Sequence, residues 1–159
     1  MNGSRRTRLR RILVSTALAA TLVITVALPA AASNIGNEGC TPGYWKNHTD
    51  NWEEYLPSWR IGSVLTSTPA AFADLTLLDT LSLKGGSGAD GATQILLRAS
   101  VAAYLNAAHE GLGYPYRRFD DPGQLEDTIN AALASGDRQT MLDLAALLDA
   151  ANNLGCPLS

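Results

Sequence analysis

The chain has 159 residues, with 12 Lys and Arg against 15 Asp and Glu, and a large aliphatic fraction. Its first eleven residues hold five of the arginines and no acid, so removing them leaves seven basic residues against fifteen acidic ones, a net charge of −8. A surface this acidic argues against nucleic acid and anionic lipid as partners.

A secretory leader is predicted at the N-terminus. Residues 12–28 are uncharged and mostly aliphatic or alanine, and Pro29 and three alanines follow. A basic segment, an apolar segment and a small-residue cleavage site form a signal peptide. We predict a signal peptide over 1–32, a short linker over 33–39 and a single domain over 40–159. The alternative is an uncleaved anchor, because about 17 apolar residues is the short end of a membrane-spanning helix.

The leader defines the expected compartment. Arg5 and Arg6 approach a twin-arginine export signal, but Arg8 stands where that signal has an apolar residue, so Sec and Tat export both remain open. Either route gives a secreted, extracellular protein without a stable membrane anchor. In an exported chain, two cysteines favour a disulfide, and Cys40 and Cys156 bracket the predicted domain.

The segment from Cys40 to Trp59 holds all three tryptophans and His48. Thr41 is predicted to cap a helix that begins with Pro42. A single helix, turning 100° per residue, would place six side chains on one arc: Tyr44, Trp45, His48, Trp52, Tyr55 and Leu56. A second cap signal at Asp50 allows instead two short helices with a bend near Thr49.

The rest of the chain shows helical periodicity and no alternation typical of strands. Residues 61–74 are predicted to form a loop with at most one helical turn. Helices are predicted after Thr76, from a cap at Asp90 to about His109, after Asp121 and Pro122 with Gln124 in the reciprocal capping position, and from Arg138 to about Asn153. The Ser135-Gly136-Asp137 connection separates the last two. The predicted fold is all-α, a compact bundle of about five to six helices closed by a terminal disulfide.

The motifs CTPGYWKNHTDNW, TLLDTLS, ILLRASVAAYLNAAH, YPY, INAALASGDRQTMLDLAALLD and NNLGCPL cover nearly all of the predicted domain. Together they resemble a family of secreted bacterial domains that carry G-[YF]-W-K-N-H near the N-terminus and N-N-L-G-C-P-L at the end. The resemblance implies export and one intact domain, and no established activity. Relatives often have proline after the histidine, where this chain has Thr49, so the resemblance favours a bend there.

Three functional hypotheses follow. The first is a secreted, non-catalytic structural or interaction module, with no cofactor and no metal site. The second is a small extracellular hydrolase or metal-dependent enzyme that uses the Lys46-Asn47-His48 region and His109, although no zinc-binding motif is present. The third is carbohydrate or cell-wall binding on the aromatic stripe. The candidate binding residues, for a cell-surface glycan or protein, are Tyr44, Trp45, Lys46, Asn47, His48 and Trp52.

Overall fold

Seven α-helices and one 3₁₀ turn make up the regular structure of residues 36–119 and 124–158, which are the residues that the computed structural model describes. The helices are α1 (Pro42–Asn47), α2 (Ile61–Val64), α3 (Ala70–Ala73), α4 (Leu77–Thr80), α5 (Gly88–Ala108), α6 (Leu125–Ser135) and α7 (Arg138–Asn152), and the 3₁₀ turn is Thr49–Asn51. The all-α prediction is confirmed. The segment predicted as a loop contains two helices, α2 and α3, of four residues each. The predicted leader, and the Asp121-Pro122 start signal, lie outside the described residues.

Helix α5 is the centre of the domain. Fourteen of its 21 residues are buried, so it is enclosed by the other elements instead of lying on one side of them. Its most extensive packing is against α7. Alanines bring the two helices together, with Ala99 and Ala102 buried on α5 and Ala145 and Ala151 buried on α7. Small side chains allow this approach, and the larger aliphatic and aromatic residues fill the space around the pair.

Several helix ends form as local chemistry predicts. Thr41 accepts a hydrogen bond from the backbone of Tyr44, and Thr76 forms a reciprocal capping box with Asp79. Gly136 ends α6 with a φ of 62°, in the left-handed region that favours glycine. Asp137 then caps α7.

Two predicted helix starts are wrong. Helix α5 begins at Gly88 after Ser87, so Asp90 lies in its first turn, where a carboxylate favours the positive end of the helix dipole without capping it. Helix α6 begins directly after Gln124. The Gln124 side chain accepts a hydrogen bond from the backbone N–H of Arg117, at 3.1 Å, and so binds the preceding loop instead of its own helix.

The two ends of the domain meet at the predicted disulfide. Cys40 and Cys156 are bonded with their Cα atoms 4.5 Å apart, across a sequence separation of 116 residues. Beside the bond, the backbone N–H of Gly39 donates to the carbonyl of Gly155 at 3.0 Å. The disulfide prediction is confirmed, and both ends of the domain are fixed against α5 and α7.

Candidate functional site

The aromatic segment is not one helix. Helix α1 ends at Asn47, because His48 leaves the helical conformation with φ −129° and ψ 60°. The His48 ring stacks on Tyr44, with centroids 4.2 Å apart. Its Nδ1 lies 2.9 Å from the Tyr44 carbonyl, the acceptor that the His48 amide would use if the helix continued. The single-helix prediction is therefore wrong, and the predicted bend near Thr49 is present.

Most of the aromatic side chains belong to the core. Trp45 is completely buried and Tyr55 nearly so. Trp52 is half-buried, and its indole N–H donates to the Trp45 carbonyl at 2.9 Å. Leu56, which the helical arc placed inward, is 56% exposed, and Trp59 is 42% exposed. A stacking platform needs at least two exposed, coplanar tryptophans. Of the three tryptophans, all of which lie in the described residues, only Trp59 is exposed.

A buried polar network lies beneath Trp45, and the sequence did not predict it. Asn106, on α5, has no exposed surface. Its side-chain oxygen accepts hydrogen bonds from the Cys40 N–H at 2.8 Å and from the Trp45 indole N–H at 3.0 Å. Its amide nitrogen donates to the Cys40 carbonyl and to the side-chain oxygen of Asn152, both at 2.9 Å. One amide thus holds the disulfide end, α1 and α7 on the central helix.

Asn152, on the last turn of α7, extends the network. Its oxygen also accepts from the Tyr114 hydroxyl at 2.8 Å, and its nitrogen donates to the Ala99 carbonyl at 3.0 Å. Burial raises the pKa of the Tyr114 hydroxyl, which therefore stays neutral and acts as a donor. Two features of the sequence could have indicated this network. One is the asparagine at position 106 within an otherwise apolar run, and the other is the first asparagine of the NNLGCPL motif, Asn152.

The two histidines lie in separate environments. His109 is 13% exposed, packs near the Trp45 ring at 5.9 Å and has its Nε2 3.6 Å from a carboxylate oxygen of Glu53. Its Nδ1 accepts a hydrogen bond from the Gly111 N–H at 3.0 Å. The other oxygen of Glu53 accepts from the Glu110 N–H at 2.7 Å. These contacts join the end of α5 to the segment after α1.

His48, in contrast, is exposed and stacked on Tyr44. Within the described part of the chain, no hydrogen bond or ring contact joins His48 to His109. The same residues include no group of three or more His, Cys, Asp or Glu side chains placed to bind a metal ion. The structure does not bring together the pair of histidines that the enzyme hypothesis requires.

Lys46 and Asn47 are exposed at the end of α1. Asn47 donates to the Gly43 carbonyl of its own helix at 2.8 Å. Lys46 faces a groove of about 470 Å³, which we call the basic groove. Its walls come from α1, the α4–α5 connection, α5 and the end of α7, and the residues that line it are Thr41, Pro42, Gly43, Lys46, Leu81, Ser82, Leu83, Lys84, Arg98, Asp149 and Asn153.

Comparisons of the chain with protein-family models, with curated proteins and with solved structures find no significant match. In residues 36–119 and 124–158, no helix has both the length and the hydropathy that crossing a membrane requires.

Proposed function

We propose that this protein is a secreted, non-catalytic module of the cell exterior that acts by binding. Two features support export: the predicted leader and the disulfide, which is typical of oxidising compartments. The resemblance to secreted bacterial domains of no established activity fits the same proposal.

The observation that carries the non-catalytic part is the use of the polar side chains. The hydrogen bonds inside the core join the side chains of Asn106, Asn152 and Tyr114 to one another and to backbone groups. His109 is held between Glu53 and the Gly111 amide. A general base must lie within hydrogen-bond reach of the substrate proton that it removes. These residues instead connect distant parts of the chain. They are positioned to stabilise a rigid domain.

Export is tested by expressing the full chain in a bacterium that has both the Sec and the Tat pathways. Mass spectrometry of the culture medium should find a product that begins at Ser33 and has no free thiol. Substituting the leader arginine pair, Arg5 and Arg6, with lysines separates the two routes, because twin-arginine export depends on that pair. A chain that stays in the cytoplasm with reduced cysteines would contradict the proposal.

Binding is tested by screening the mature protein against arrays of glycans and cell-wall fragments. We expect at least one ligand to bind and to be recovered chemically unchanged after prolonged incubation. Trp45 is unsuitable as a surface control because it is buried, so Trp59→Ala and Asn47→Ala serve as surface variants. If the ligand is cleaved, and His109→Gln stops the cleavage in a folded protein, then the enzyme hypothesis replaces this one.

A further inference from the structure

Six of the seven basic residues after the predicted leader fall into two groups, and the seventh, Arg117, lies in the connection between α5 and α6. Arg60 pairs with Asp74, Arg118 pairs with Glu54, and Arg138 donates to the Gly88 carbonyl. The second group, Lys46, Lys84 and Arg98, lines the basic groove. None of these three forms an ion pair with any carboxylate of the described residues.

The charge of the basic groove is opposite in sign to the net charge of the protein. After the leader, only seven basic residues stand against fifteen acidic ones. Three of those seven converge on one groove that contains a single carboxylate, Asp149. The groove is therefore positive on a surface that is otherwise strongly negative. Cations that form no ion pair with a carboxylate attract an anionic ligand to the groove.

Arg98 is the most constrained of the three. It is half-buried on α5, and its Nη1 donates to the Leu83 carbonyl at 3.1 Å, which fixes the guanidinium against the wall of the groove. A guanidinium has five N–H donors in a planar fork that matches carboxylate and phosphate groups. A single backbone carbonyl uses only part of that capacity. Lys46 and Lys84 are exposed and add two flexible point charges to the lining of the groove.

We propose that the basic groove binds a compact anion, a ligand of about sugar size that carries a phosphate or carboxylate group. The biological setting of this ligand rests on the binding function proposed above. The groove is open to solvent, and its volume of about 470 Å³ leaves room for a ligand of that size. A long polyanion is disfavoured, because beyond the groove it would meet a surface of net negative charge.

The remaining polar groups of the groove fit a hydroxylated ligand. Asp149 and Ser82 are exposed there, and each accepts hydrogen bonds from hydroxyl groups. Asn153 donates its amide nitrogen to the Asp149 backbone carbonyl at 2.7 Å, which leaves its side-chain oxygen as an acceptor. The cations would hold the anionic group while these acceptors hold the sugar hydroxyls.

The test is an NMR titration of the ¹⁵N-labelled mature protein with four probes: inorganic phosphate, glycerol 3-phosphate, glucuronic acid and uncharged glucose. The anionic probes should shift backbone signals of residues 41–46, 81–84 and 98, and glucose should bind more weakly. The phosphate and uronate arms distinguish the two sources of the anionic group. Shifts that are absent, scattered over the surface or equal for glucose would overturn the proposal.

Substitutions inside and outside the groove test whether the anion binds there. Arg98→Gln and Lys84→Gln should each weaken binding of the preferred anion about tenfold, the value of one charge-assisted hydrogen bond. Asp149→Asn should strengthen binding of inorganic phosphate, which has no sugar hydroxyl for Asp149 to hold, because the only carboxylate of the groove is removed. The matched controls are Arg60→Gln, a paired cation elsewhere, and Asp143→Asn, an exposed acid on α7 outside the groove, and both should leave binding unchanged. Equal effects in the groove and control variants would reject the assignment.

The two proposals fail differently. If a ligand from the glycan array binds, and Arg98→Gln and Lys84→Gln leave its affinity unchanged, then the groove is not the site although the protein is a binding module. If the groove binds an anion that is then chemically converted, the groove stands and the non-catalytic proposal falls.

Discussion

Replacing Asn106 with alanine should destabilise the domain more than any other single change to a polar side chain in the core. The substitution removes the acceptor of the Cys40 and Trp45 N–H groups and the donor to the Cys40 carbonyl. All of these groups are buried. Asn152 is less affected, since its oxygen keeps the Tyr114 hydroxyl as a donor.

The magnitude follows from the number of orphaned groups. A buried donor or acceptor left without a partner costs about 1–3 kcal/mol. Three such groups, with some relief from water that enters the space of the lost side chain, give about 3–6 kcal/mol. A domain of this size has a free energy of unfolding of about 5–15 kcal/mol. The variant should therefore be near the limit of folding.

The assay is urea unfolding followed by circular dichroism and tryptophan fluorescence. With a typical slope of about 1–3 kcal/mol per molar urea, the midpoint should fall by roughly 2 M. The matched control is Asn153→Ala, an exposed asparagine next to Asn152, which should change stability by less than about 0.5 kcal/mol. A loss below about 1 kcal/mol for Asn106→Ala would refute the role assigned to the network.

Asn106→Asp tests the same network through pH. The carboxylate would face the Cys40 carbonyl and the Asn152 oxygen, both acceptors, so the pKa of the new carboxyl should be raised in the folded state. A raised folded pKa means that the protonated form is favoured by folding. Relative to the wild type, the variant should be least destabilised below about pH 3.9, the ordinary value, and should lose stability as the pH rises from there to the folded pKa.

The remaining predictions concern the buried core, the close contact between Gly39 and the backbone of α7, and the N-terminal cap of α7. Trp45→Ala should cost about 3–5 kcal/mol and Trp59→Ala less than about 1 kcal/mol in thermal unfolding, and the reverse order would contradict their burial. Gly39→Ala should cost about 1–3 kcal/mol in urea unfolding, because its Cβ would overlap a carbonyl oxygen in the last turn of α7; wild-type stability would show that the approach is loose. Hydrogen bonds from Thr140 lower the pKa of Asp137, so NMR titration should find that carboxyl ionised below its ordinary range. Its stabilising contribution is present above the ordinary pKa and is lost as the pH falls through the lowered one, and an unshifted titration would contradict the cap.

Local interactions were predictable from the sequence. The caps at Thr41, Thr76 and Asp137 each depend on a residue three positions away. The end of α6 at Gly136 depends only on the backbone conformation of that glycine. The disulfide was predicted from the expected leader and the even number of cysteines. Signals of this kind do not require knowledge of how distant segments meet.

The features that fix the candidate site were not predictable in this way. Asn106 bonds partners 66, 61 and 46 residues away, and no local pattern encodes those distances. The short helices α2 and α3 lack the length over which a helical period is visible, and α2 is fixed by tertiary contacts such as the burial of Ile61. The basic groove assembles side chains from positions 46, 84 and 98, so its charge is visible only after folding.

The helical arc of the aromatic segment shows why apolar spacing alone is insufficient. Over the thirteen residues from Tyr44 to Leu56, the same spacing fits one helix or a helix followed by a turn. The deciding interaction is the His48 ring, which occupies the Tyr44 carbonyl and ends α1. A proline at position 49 would produce the same bend by a different route.

The most direct test of a helical domain closed at its two ends is reduction of the Cys40–Cys156 bond in the folded protein. Cys156 is exposed, so a phosphine reductant reaches it. Opening a loop of this length should remove about 4–5 kcal/mol and lower the melting temperature by roughly 15 °C. The Cys40→Ser/Cys156→Ser double variant should show a similar loss. An unchanged melting temperature after complete reduction, or two thiols that react in the untreated protein, would contradict the closed domain.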